Sequence, residues 1–168
     1  MTTLYTASVP VFKQLITALG DVLRKAEAYA IDKKIDPNVL LQSRLFPDMF
    51  PLIRQVQIAT DFAKSVPSRL AGIEVPAYDD SEQSFAELQT RIQNVLVLLD
   101  GLKAEQLEGK ESLVIVLRAG TPKEKKLTGE TYLLNYGLPQ FFFHVTTAYA
   151  ILRHNGVEVG KRDFMGAY

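Results

Sequence analysis

Residues 9–33 read VPVFKQLITALGDVLRKAEAYAIDK, and the apolar positions Phe12, Ile16, Leu19, Leu23, Ala26 and Ala30 fall at alternating steps of four and three. Such steps return to one side of a helix of about 3.6 residues per turn, whereas a half-buried strand would alternate residue by residue. The pattern recurs at Leu52, Val56, Ala59, Ala63, Val66 and Leu70, and again at Leu138, Phe142, Val145, Tyr149 and Leu152. Phe85, Leu88, Ile92, Val95, Leu99 and Leu102 make a fourth stripe. Four amphipathic helices bury their stripes most simply against one another, so the sequence predicts an all-α four-helix bundle.

Local signals set the boundaries. The first helix is expected from Val9 to Lys33, with Ser8 as cap, Pro10 in the first turn and Gly20 tolerated for a close helix contact. A short irregular connection with two prolines follows. Asp48 is the expected cap of the second helix, which either ends near Lys64 or continues through Pro67 to Gly72. The third opens on the capping box Ser84-Phe85-Ala86-Glu87 and closes at Asp100-Gly101. Leu113–Leu117 is rich in β-branched residues, and Leu127–Leu134 alternates more weakly. With Gly120 and Pro122 between them, these predict a short β-hairpin or extended segment between helices three and four. The fourth helix is expected after Gly137, ending at Asn155-Gly156, and the tail to Tyr168 holds one helical turn.

Composition narrows the function classes. The 168 residues fit one domain spanning 1–168, and a 47% hydrophobic content can fill a core. Nineteen basic residues balance nineteen acidic ones, which argues against a nucleic-acid partner, since phosphate neutralisation needs a basic excess. The absence of cysteine removes disulfides, thiolate ligands and a cysteine nucleophile. No apolar run approaches the roughly 20 residues of a membrane span. The N-terminal residues lack a signal-peptide pattern, so the expectation is a cytoplasmic protein without a membrane partner.

Phosphate-binding glycine motifs, a GxSxG elbow and HExxH are all missing. With two histidines in the chain, few polar side chains remain as candidates. On the second helix, Arg54 and Asp61 point nearly opposite the stripe and Gln57 lies well off it, while Gln55 falls on its flank beside Ala59 and Phe62. On the fourth, His144 sits within the edge of the apolar arc. His154 points away from that arc at the helix C-terminus, where the dipole alone accounts for it. Gln55 and His144 are therefore expected to share a polar spot between apolar walls, the composition of a small-molecule pocket. Tyr149, on the stripe itself, is carried as a third ligand-site residue, although core packing also accounts for it. The run Lys123-Glu124-Lys125-Lys126 reads as a solvated turn, and Phe164 suggests that the tail packs against the bundle.

The segments FPLIRQVQIATDFAKSVPSRLAG (50–72) and LPQFFFHVTTAYAILRHNGVEVGKRDFMG (138–166) carry a specific resemblance. They are similar to a bacterial family known as a domain of unknown function, within the DinB-like, YfiT-like metalloenzyme superfamily. The resemblance implies a four-helix bundle with an unusual order of helix directions, often a homodimer. In many DinB-like relatives it also implies a three-histidine metal site, one ligand from the second helix and two from the fourth at i, i+4. Some of those relatives are thiol transferases or thiol-dependent isomerases. Here the matching inward position of the second helix is Gln55, or Gln57 in a shifted alignment. His144 has Ala148 four residues on, and His154 has Ala150 four residues before it. The reading is thus an uncharacterised DinB-like bundle, binding a small molecule near His144 and Gln55, with a degenerate metal site, no bound metal and no cofactor. The alternatives are a divalent-metal enzyme of the transferase or isomerase type, and a non-catalytic structural or stress-related homodimer.

Overall fold

The computed structural model describes residues 2–168. Four long helices form the bundle: α1 (Val9–Lys33), α3 (Leu52–Ala71), α4 (Phe85–Gly101) and α7 (Leu138–His154). Short helices α2 (Pro37–Leu41), α5 (Ala104–Leu107), α6 (Gly129–Thr131) and α8 (Lys161–Met165) trim its connections. Strands β1 (Val114–Leu117) and β2 (Lys125–Thr128) pair antiparallel, with Ile115 opposite Leu127. The helices α3 and α7 make the most extensive contact, and α1 packs against α4. No helix among the described residues is long and apolar enough to cross a membrane.

The stripes of α1, α3 and α4 are core, whereas of the α7 stripe only Val145 and Leu152 are buried, Leu138 and Tyr149 are half-buried and Phe142 is exposed. Phe12, Ile16, Leu23, Leu52, Val56, Leu70, Phe85, Leu88, Leu99 and Leu152 are essentially inaccessible to solvent. Gly20 serves the close approach expected of it: Gln89 Nε2 donates to the Gly20 carbonyl at 2.8 Å, drawing α4 onto α1. Gly72, at φ 70°, closes α3 in the left-handed conformation that glycine adopts without steric cost.

Several local expectations are corrected. Ser8 occupies the N-cap position, but its hydroxyl turns back to the carbonyls of Leu4 and Tyr5, so it does not cap α1. Pro51, not Asp48, is the residue before α3; of the two expected ends, the one that continues through Pro67 to Gly72 is the one that forms. Half of the expected capping box forms: Ser84 Oγ accepts from the Glu87 amide at 3.2 Å, while the Glu87 carboxylate takes the amide of Gln83.

The largest correction lies between the hairpin and α7. The second strand ends at Thr128, and the residues to Leu134 are helical. Thr128 Oγ1 accepts from the Thr131 amide and caps a turn that widens into a π-helix over Tyr132–Gly137, continuous with α7. Apolar residues that look alternating over so short a span fit a helix surface as well. The tail packs as expected: Phe164 meets Tyr149 edge to face at 5.8 Å, and Gln14 Nε2 donates to the Met165 carbonyl.

Candidate functional site

Gln55 sits in the first turn of α3 and His144 in the second turn of α7, the two helices in closest contact. Both side chains are buried, Gln55 at 1% and His144 at 7% exposure. Gln55 Oε1 lies 2.7 Å from His144 Nδ1, and Gln55 Nε2 donates to the Phe50 carbonyl at 3.0 Å. An amide whose NH₂ is committed to a carbonyl presents only its oxygen to the imidazole. His144 must therefore donate from Nδ1, which fixes the neutral tautomer with its lone pair on Nε2. Nε2 has no hydrogen-bond partner among the described residues, and no fully buried polar side-chain atom lacks a partner; this nitrogen therefore keeps some access to solvent.

Aromatic rings flank the imidazole. Phe62 stacks on it with centroids 6.3 Å apart, and Phe143 meets it edge-on at 5.1 Å. Burial pushes the His144 pKa down to about 4, and the charge of nearby Arg54 acts in the same direction. The imidazole is thus uncharged at neutral pH.

Tyr149 is not part of this pair. Its ring packs on Phe164, and its hydroxyl reaches toward the Val159 carbonyl at 3.5 Å. His154 is exposed at the end of α7, and Ala148, four residues beyond His144, is buried core. Among the described residues no group of three or more His, Cys, Asp or Glu side chains is placed to hold a metal ion. Gln55 adds no free donor, because its oxygen is already taken by His144. The residues present do not fit a three-histidine centre.

A second polar assembly went unpredicted. Arg91, 3% exposed on α4, bonds Thr60 Oγ1 at 2.7 Å, Asp61 at 2.8 Å and Glu82 at 3.0 Å, and lies 3.1 Å from Asp80. Lys64 pairs with the same Asp61 oxygen at 3.0 Å and lies over the Tyr78 ring at 4.0 Å. Gln57 Nε2 donates to Glu82, and Arg54 pairs with Asp80. These bonds fasten the 73–83 loop across α3 and α4, which is why Gln57, expected well off the stripe, is buried. The signal was present: Leu88, Arg91 and Val95 step by three and four, placing an arginine within the apolar face, with Asp79, Asp80, Glu82 and Glu87 shortly before it.

A family model described as Domain of unknown function (DUF1993) matches residues 4–165. The chain belongs to that family. This DUF1993 chain is also similar to a protein of known crystal structure, a DinB family member from Shewanella denitrificans. The two are 45% identical, with a TM-score of 0.92 over 98% of this chain and 93% of the other. The DinB-like bundle inferred from residues 50–72 and 138–166 is therefore the fold of the DUF1993 chain. No curated protein matches it.

Proposed function

We propose that this protein binds a small organic molecule at the His144–Gln55 pair, on a DinB-like scaffold whose metal centre has been lost. The observation that carries this reading is the Gln55–His144 hydrogen bond. It holds a buried imidazole in one neutral tautomer and leaves Nε2 free to accept from a ligand N–H or O–H. Phe62 and Phe143 supply apolar surface beside that acceptor, the mix of area and orienting groups that small-molecule sites use. Ligand-observed NMR with a fragment library tests it. Binders bearing a hydrogen-bond donor should be lost in His144→Phe and retained in Tyr149→Phe. A metal-enzyme reading would instead require stoichiometric zinc or nickel in untagged protein that is lost on His144→Ala.

A second reading concerns the partner. Leu45, Phe142 and Phe143 line one open apolar groove of about 380 Å³, and Phe46 and Phe50, on the segment that includes Leu45, are also more than half exposed. Aromatic surface of this kind is characteristic of interfaces. We propose that a second copy of this chain covers it. Sedimentation velocity should then show a dimer that Phe143→Asp converts to monomer.

A further inference from the structure

Phe62 also lines a cavity of about 200 Å³ between α3, the end of β1 and the π-helical turn. Arg69 and Arg118 both reach it, and neither forms an ion pair among the described residues. Asp61 also lines it, but that carboxylate already serves Arg91 and Lys64. Two largely exposed arginines thus line one small cavity without a carboxylate partner of their own.

Arg69 is held through its side chain and Arg118 through its backbone. Arg69 Nη1 donates to the hydroxyl of Tyr132 at 3.0 Å; Tyr132 is fully buried and opens the π-helical turn. Isolated π-helical turns concentrate at functional sites, because the extra residue re-aims side chains at some cost in hydrogen-bond geometry. Here the turn turns Tyr132 toward Arg69 and places Tyr136 in the cavity wall. Arg118 has φ 52°, a left-handed conformation that a non-glycine residue adopts at a cost. Its carbonyl accepts from both the amide and the hydroxyl of Thr121, which locks that corner of the hairpin. The remaining walls are Phe62, Leu117, Tyr136 and Ser65.

We propose that this cavity binds a small organic carboxylate with a flat apolar body. The carboxylate would lie between Arg69 and Arg118, in the geometry for which guanidinium groups are suited, and the body against Phe62, Leu117 and Tyr136. The volume admits a single-ring acid and excludes a nucleotide. The site shares the Phe62 ring with the His144–Gln55 pair but none of its hydrogen-bonding groups, and does not depend on the reading given to that pair.

Benzoate is the probe, titrated into the full chain by calorimetry and by amide-detected NMR in low-salt buffer. Saturable one-to-one binding is expected, with shifts at Phe62, Leu117 and Tyr136. Benzamide, of the same shape but uncharged, should bind at least about tenfold more weakly, as should inorganic phosphate, which lacks the apolar body. Arg118→Gln, on an exposed turn, should weaken benzoate at least about tenfold without moving Tm. Arg69→Gln should weaken benzoate as much, with some loss of Tm because Tyr132 loses its donor, and Arg69→Lys should recover part of the binding. His144→Phe should leave benzoate binding unchanged, which separates failure of this site from failure of the other. The proposal is overturned by no saturation at about 10 mM, by phosphate or benzamide binding as tightly as benzoate, by full affinity in Arg118→Gln, or by loss of binding in His144→Phe.

Discussion

Gln55 Oε1 and His144 Nδ1 are 2.7 Å apart although 89 residues separate them in the chain, and both groups are buried where α3 and α7 meet. Because the amide can only accept there, the contact places a proton on Nδ1, and it is burial, with Arg54 nearby, that opposes the second protonation at Nε2. Folding therefore competes with protonation of this one side chain.

Stability should consequently depend on pH in a defined window. The folded pKa of about 4 lies below the ordinary 6.5, so between these values the unfolded chain holds a proton that the folded one does not. The contribution is complete above pH 6.5, is lost as pH falls toward 4 and changes no further below that. Its full size is up to about 3 kcal/mol. Urea midpoints measured across this range should fall with acidification in the native sequence and much less in His144→Phe. Equal slopes in the two proteins would remove His144 as the cause.

Replacing Gln55 by glutamate should invert that behaviour. A carboxylate still accepts from His144 Nδ1–H, and its charge favours the imidazolium. It cannot donate to the Phe50 carbonyl, so the swap should also cost about 1–3 kcal/mol. The His144 ring, followed by NMR, should titrate well above 4 in Gln55→Glu. An unchanged titration would mean that position 55 does not face the ring in solution.

The pair was legible in sequence because helical phase needs only local information. Gln55 and His144 each lie at the edge of an apolar arc, and stripes that must face one another carry their edges together. Tyr149 shows the limit of the same logic: it lies on the stripe yet is only half-buried, against Phe164, and Phe142 on the same stripe is exposed. The π-helical turn was not legible, since Leu127–Leu134 is too short for the two periods to separate. Nor was the Arg91 assembly, whose partners come from α3, α4 and a loop. Its trace in the sequence was a lone arginine on an apolar face, which had more than one reading until the loop was placed.

Arg91→Met should be among the most damaging single changes outside the apolar core. It would leave Asp61, Asp80 and Glu82 beside one another with only Lys64 and Arg54 to offset them. Removing one partner of a fully buried ion pair costs about 3–5 kcal/mol, and because Asp61 and Asp80 are each about a third exposed the cost here should fall below that range. Arg91→Lys should recover little, because one ammonium cannot span contacts made by three guanidinium nitrogens. Hydrogen exchange should locate the damage in residues 73–83, the loop this arginine fastens. Protection there equal to that of the native chain would show that the loop is held by other contacts.

The π-helical turn gives a test with a built-in control. Gly137 has ordinary helical angles, φ −63° and ψ −55°, so backbone preference alone would favour alanine by about 1 kcal/mol. Packing opposes it: a Cβ at this position would lie 2.8 and 3.0 Å from the two methyl carbons of Val66, itself fully buried on α3. A branched side chain fixed by its own helix cannot swing aside, so Gly137→Ala should destabilise the protein by about 1–3 kcal/mol. Val66→Ala should also destabilise, by the cavity it opens. Combining the two changes removes the clash and fills part of that cavity, so the double variant should be more stable than the sum of the single losses by more than about 0.5 kcal/mol. Additive losses in denaturant unfolding would mean that Gly137 and Val66 do not touch, and that the turn before α7 packs on some other part of α3.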